Sequence, residues 1–386
     1  MKKLIPFFFF VFIFLCSSVF AQIRIFGDDD DSTGVDCSYQ SLDLGYNEAG
    51  ISFGNSPRWN GLRFNFSDCG IEEINGINIT LWAPENNPGS RIRGIAFGLA
   101  PFAGTLQGIS IGIAASVAEN RMQGINIGGL AVVSQGNVEG LNIGGLAVVA
   151  QRNLKGFNFG GLAVVAQGNL SGINLGTLAT VSQGNQLGIN IGGLAVVAQG
   201  ELKGLNIGGV AAVAQGDLYG LNFGGLAVVA QGELKGINFG GAAVVTQQDL
   251  TGINIGGLAV VSQGEMKGIN FGGLAVVAQG DIYGLNQALL AVYSQKKIKG
   301  FNLVGYKTEA DEFKGLNLTV GWTKVNVMRG VSISAYNKIQ DTQHGLSIGI
   351  FNFAESLDGV QIGLINIAKN NEGWAKVLPI FNCHFD

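Results

Sequence analysis

The sequence predicts an all-β fold of tandem 14–16-residue repeats, with a β-solenoid favoured, and three observations carry that expectation. The first is a sixteen-residue template, G-(I/L/F)-N-(I/F)-G-G-L-A-V-V-(A/S)-Q-G-x-L-x, that recurs through the middle of the chain. It opens at Gly124, Gly140, Gly156, Gly172, Gly188, Gly204, Gly220, Gly236, Gly252, Gly268, Gly284 and Gly300. One such unit cannot bury a core, so a period this strict means that copies stack on or pair with each other. The second is local pattern: β-branched and other apolar residues alternate with small or polar ones over short runs bounded by glycine, which is a strand signal. The third excludes helix. Glycine costs a helix about 1 kcal/mol relative to alanine, and the Asn and Gln of every unit deny it the roughly 18 uninterrupted apolar residues of a membrane span.

From the N-terminus, Met1-Lys2-Lys3, the apolar run Leu4 to Leu15 and Val19-Phe20-Ala21 read as a secretory signal peptide over residues 1–21. Cys16 raises a lipoprotein signal, but Leu15 is large where that signal wants a small residue. Residues 22–45, with Asp28 to Asp31, form an acidic flexible lead. Residues 46–123 hold degenerate N-terminal repeats at Gly61, Gly76, Gly94 and Gly108, and residues 124–300 hold the regular array. Residues 301–386 hold degenerate C-terminal repeats at Gly315, Gly330, Gly345 and Gly359. Atypical end units serve as caps in repeat proteins, and Trp59, Trp82, Trp322 and Trp374 all fall in them.

With 62 glycines, 6 prolines and 13% charged residues in 386, the chain reads as one extended repeat domain. A net charge of −4 and scattered Lys and Arg exclude a basic surface for nucleic acid. After signal cleavage Cys37, Cys69 and Cys383 remain, enough for one internal disulfide. Cys37 and Cys69, both in the irregular head, are the candidate pair, with unpaired thiols as the alternative.

In a solenoid coil the corners fall at Gly192-Gly193 and Gln199-Gly200-Glu201. That reading sends Ile189, Ile191, Leu194 and Val197 or its neighbour inward together with Leu202, whose position is apolar in every regular unit except at Gln186. One of the two adjacent valines then faces outward and leaves an apolar stripe. Parallel stacking sets each Asn over the next at about 4.8 Å. The expected structural ladder comprises Asn126, Asn142, Asn158, Asn174, Asn190, Asn206, Asn222, Asn238, Asn254, Asn270, Asn286 and Asn302.

The alternative is an antiparallel meander closed into an outer-membrane-type barrel. In its favour, Gln167 to Leu170 resembles a two-residue hairpin loop, and the final strand ends on Phe385 like a barrel-assembly signal. The turns also alternate between Glu-Leu-Lys, as at 201–203, and Asp-Leu-Tyr, as at 217–219; successive turns on opposite rims, or duplication of a 32-residue block, would produce this. Against it, the central repeats lack regular aromatic girdles and a consistently polar strand face.

Gly345-Leu-Ser-Ile-Gly-Ile-Phe-Asn-Phe-Ala and Gly359-Val-Gln-Ile-Gly-Leu-Ile-Asn-Ile-Ala resemble the G-x-Q-I-G-L-x-N-x-A repeats of bacterial glycine-rich surface repeat-containing proteins, known from spirochaetes (Leptospira) and Bacteroidetes. The resemblance covers about residues 61 to 385. It implies an exported, envelope-associated protein and brings no catalytic residues or defined ligand. The central units depart from the motif by inserting a second glycine and replacing the late Asn with valine.

His344 and His384 stand without a Cys or second His at metal-ligand spacing, so no metal site is expected. Gly-Gly is followed by Leu-Ala-Val-Val where a calcium-binding β-roll needs Asp. Paired acids, a nucleophile elbow and a phosphate-cradling loop are equally missing, so no cofactor is expected. The sequence therefore predicts a non-enzymatic exported repeat protein of the bacterial cell surface, a structural or adhesion scaffold. An outer-membrane β-barrel is the alternative and a polysaccharide-active β-helix enzyme the remote one. The expected partners are envelope components, glycans or other proteins along an extended face, with membrane association left open; the location is the cell surface or outer membrane, or secreted.

Overall fold

The computed structural model describes Cys37 and residues 39–82 and 89–385, and the chain divides into two units, Met1–Ser38 and Tyr39–Asp386. The signal-peptide segment and Asp28 to Asp31 lie outside the described residues. In the second unit, the sixteen-residue period becomes a parallel register in which each residue pairs with the one sixteen later. Leu202, Asn206 and Gly208 pair with Leu218, Asn222 and Gly224, and Ala211 to Ala214 pair with Ala227 to Ala230. Each regular coil thus has a long strand such as Leu202–Gly208 and a short one such as Ala211–Ala214. The chain turns at Gln215-Gly216-Asp217, as the sequence marks, and at Gly209-Val210, one residue later than the Gly-Gly pair expected there.

About 19 turns stack in this way into a β-solenoid. This overturns the barrel. A closed meander pairs consecutive strands antiparallel, whereas here equivalent strands of successive units pair parallel.

The opening glycine explains the strictness of the period. Gly204 has φ +116°, and its equivalents along the column from Gly50 to Gly359 lie in the same region. That conformation is open to glycine and strained for other residues. A Cβ on Gly204 would also overlap the carbonyl oxygen of Gly188, the glycine directly beneath it.

The interior differs from the sequence expectation. Leu202, Asn206, Gly208, Ala212 and Ala214 face inward. Leu202 is where it was expected, and of the two valines Val196 is the buried one, but Ile189 and Leu194 lie on the outside, as does the half-exposed Ile191. The cause is strand parity. Leu202 and Leu205 stand three apart on one continuous strand, so they occupy opposite faces. Once leucine at 202 goes in, period two also sends in Asn206 and Gly208. The corner leaves no room for a side chain at Gly208, since a Cβ there would overlap the Ala211 carbonyl oxygen.

Antiparallel strands close both ends. Ser41–Tyr46 pairs with Ala49–Gly54, which begins the parallel stack, so ordered structure starts within the segment read as the lead, and the glycine column reaches back to Gly50. At the other end Val377–His384 folds antiparallel onto Phe351–Ala368. The aromatic-ended strand that suggested barrel assembly is therefore a cap. Its Pro379 lacks an N–H and Ile380 sits at φ 67° beside a register shift, features that discourage further strand pairing at an edge.

Candidate interaction face

The buried asparagines form an internal spine. Asn126 Nδ2 donates to Asn142 Oδ1 at 2.7 Å, and the same bond repeats coil by coil until Asn286 Nδ2 donates to Asn302 Oδ1 at 3.0 Å. The direction leaves one loose atom at each end: Asn126 Oδ1 and Asn302 Nδ2 are buried without a partner among the described residues. Asn206 has no exposed surface, so this column supports the coils and cannot touch a ligand while they remain folded.

Along the Gln-Gly-x edge the structure gives the two-unit alternation a cause. Lys203 and Lys235 place their ammonium groups 5.2 and 5.6 Å from the ring of Tyr219, and Lys267 and Lys299 flank Tyr283 at 5.5 and 5.2 Å. Parallel stacking sets consecutive coils side by side, Lys203 next to Tyr219 and Tyr219 next to Lys235, so each tyrosine lies between two cations. The Tyr219 hydroxyl donates to Asp217 at 2.7 Å, which with nearby Glu233 pushes its pKa far up. The equivalent bond to Asp281 is the main cause that pushes Tyr283 up to about 12. The same edge carries a second ladder, in which Asn185 Oδ1 accepts from the Glu201 amide and Asp217 Oδ1 from the Glu233 amide, each at 2.8 Å.

On the outside of the long strands, the residues on either side of each buried Asn position make two apolar columns. One runs through Ile51, Leu62, Ile77 and so on to Val360, and the other from Phe53 to Ile362, with Gln287 as its break. Leu221, Phe239 and Ile269 are 43%, 42% and 44% exposed. Corner leucines such as Leu146, Leu194, Leu226 and Leu258 extend the apolar surface around the Gly-Gly edge. With about 19 turns at about 4.8 Å each and two columns roughly 11 Å wide, the face covers on the order of 1,000 Å². The largest apolar patch of a typical monomer is about 300–600 Å².

Of the other residues that the sequence singled out, Cys383 pairs with Val360 at the C-terminal end of the first column. Cys37 and Cys69 are in the disulfide form, and Cys383 is an exposed free thiol. His344 Nδ1 meets Asp358 Oδ2 at 2.8 Å, and His384 Nδ1 meets Asn371 Oδ1 at 2.6 Å. One cluster escaped sequence reasoning. Arg63 and Asp68 form a fully buried ion pair near the N-terminal cap, bonded also to Asn55, Asn78 and Thr80. The available signal was position: Arg63 occupies the inward place that Asn fills in regular coils, where a charge must bring its own partners.

No family model, curated protein sequence or solved structure matches the chain.

Proposed function

We propose that this β-solenoid is a non-enzymatic scaffold exported to the bacterial cell surface, where it presents its apolar face to other macromolecules. The observation that supports the reading is the pair of exposed apolar columns spread over the whole stack. The Asn spine and the glycine column hold the coils in fixed register behind this face, so it acts as a rigid strip and not as a pocket. The polar Lys–Tyr edge keeps one margin hydrated. The secretory-type leader and the likeness to surface repeat proteins suggest the location. Protease shaving of intact cells that express the full chain tests it: the protein should be cleaved while a cytoplasmic marker survives. Recovery of the whole population, uncleaved, with the cytoplasmic marker would refute the export reading.

A further inference from the structure

We infer that the occupant of the apolar face is a second copy of this chain, seated face to face with its long axis reversed. The inference rests on the scaffold reading and names its first partner.

Commensurability is the first argument. Side chains stand at one coil spacing along both columns, so two copies present the same period and can interdigitate along their full length. A partner without that repeat would match a few coils and then fall out of step. The columns also lack charge from Ile51 and Phe53 to Val360 and Ile362, so no ionic group has to be desolvated when the faces meet.

Area is the second argument. Two faces of on the order of 1,000 Å² each would bury roughly 2,000 Å², at the upper end of the 1,200–2,000 Å² of stable specific interfaces. Sheets meeting this way sit about 10 Å apart, the ordinary spacing of a sandwich core.

Orientation follows from the margins. Lys203, Tyr219, Lys235 and Lys267 border one side of the face, and corner leucines such as Leu194 and Leu226 border the other. A two-fold axis across the strip reverses the long axes and lays the polar margin on the polar margin and the leucines on the leucines. An axis along the strip would press lysines onto leucines. The reversed arrangement is also isologous and closed, so it stops at two copies. Full overlap puts the axis near Gly204, the middle glycine of the column from Gly50 to Gly359.

Sedimentation equilibrium of the purified full chain should give twice the monomer mass. Leu221→Lys with Ile269→Lys, three coils apart on the face, should weaken the dimer at least tenfold while the circular dichroism stays unchanged, and Lys203→Ala should leave it intact. In a Cys383→Ser background, Leu205→Cys should cross-link two copies across the axis and Ile109→Cys should not. A monomeric wild-type chain, a chain that floats with phospholipid vesicles as a monomer, or self-linking by Ile109→Cys overturns the inference. If the lysine variant does not fold, the cysteine pair decides alone. A dimer in a protein confined to the cytoplasm would keep this inference and sink the surface location, and a surface-exposed monomer would do the reverse.

Discussion

The regular array and the C-terminal coils solve one problem with opposite interiors. In residues 124–300 the inside is lined mostly by Leu, Val and Ala, with a single file of asparagines and scattered hydroxyls such as Ser134, Ser182, Thr246, Ser262 and Ser294. After Gly300 the spacing shortens to 15 residues, the strand Lys307–Ile348 runs 42 residues without a break, and the interior fills with hydroxyls and amides. Asn317 accepts from Thr308 and Thr319 and donates to Thr323, and Ser332 and Ser334 donate to Asn337. A new amide line then runs from Asn337 to Asn352 to Asn366. It occupies the late-Asn position, which the regular coils give to an inward valine such as Val196, so the amide file has crossed to the opposite wall of the coil. The lesson is that the coil does not require a dry interior. Most inward polar groups meet a partner, which is what lets a wet interior stand.

One regular coil breaks its own region's rule. In residues 172–187 Thr180 and Gln186 replace the valine and leucine of their columns, and Thr180 Oγ1 and both amide atoms of Gln186 are buried without partners among the described residues. The apolar core divides there, one cluster ending at Leu170 and the other beginning at Val196. Gln343 stands in the same column as Gln186, yet its Nε2 donates to the Gly345 and Val360 carbonyl oxygens and its Oε1 accepts from Gln361.

The feature common to both regions should give the largest effect. Gly204→Ala and Gly330→Ala each add a Cβ at positive φ that overlaps the backbone one coil back. Each should cost at least about 3 kcal/mol, dry interior or wet. Urea unfolding followed by far-UV circular dichroism measures this, and a small loss at Gly330 alone would mean that the 15-residue coils are slack.

Next comes the spine. Asn206→Ala strands Asn190 Nδ2 and Asn222 Oδ1, and the other inward residues of that coil, Leu202, Ala212 and Ala214, offer no side-chain partner in its place. We expect a loss of about 2–3 kcal/mol in the same assay. A variant as stable as the parent would show that the ladder contributes nothing.

The glutamine pair sharpens the contrast most cleanly. Gln186→Leu removes an unpartnered amide at nearly constant volume and should stabilise by about 1–2 kcal/mol. Gln343→Leu removes a bonded one and should cost about 1–3 kcal/mol. Thermal melting of the two variants side by side should move in opposite directions; equal shifts would break the comparison.

Composition and period alone determined a good deal here: the all-β class, the coil length, the corners near Gly-Gly and at Gln-Gly-x, and the unbroken Asn column all stood in the sequence because each is a local property repeated at fixed spacing. The choice of solenoid over barrel was favoured but not closed, since strand parity and glycine content are compatible with either. Tertiary structure decided what faces in. Apolarity argued for Ile189 and Ile191, but a long strand with Leu202-type residues inside has no further freedom, and the tight corner past Gly208 leaves that inward position no room for a side chain. The Lys–Tyr alternation was equally visible as a pattern and unreadable as a cause, because stacking energy between residues sixteen apart exists only once the coils are laid on one another.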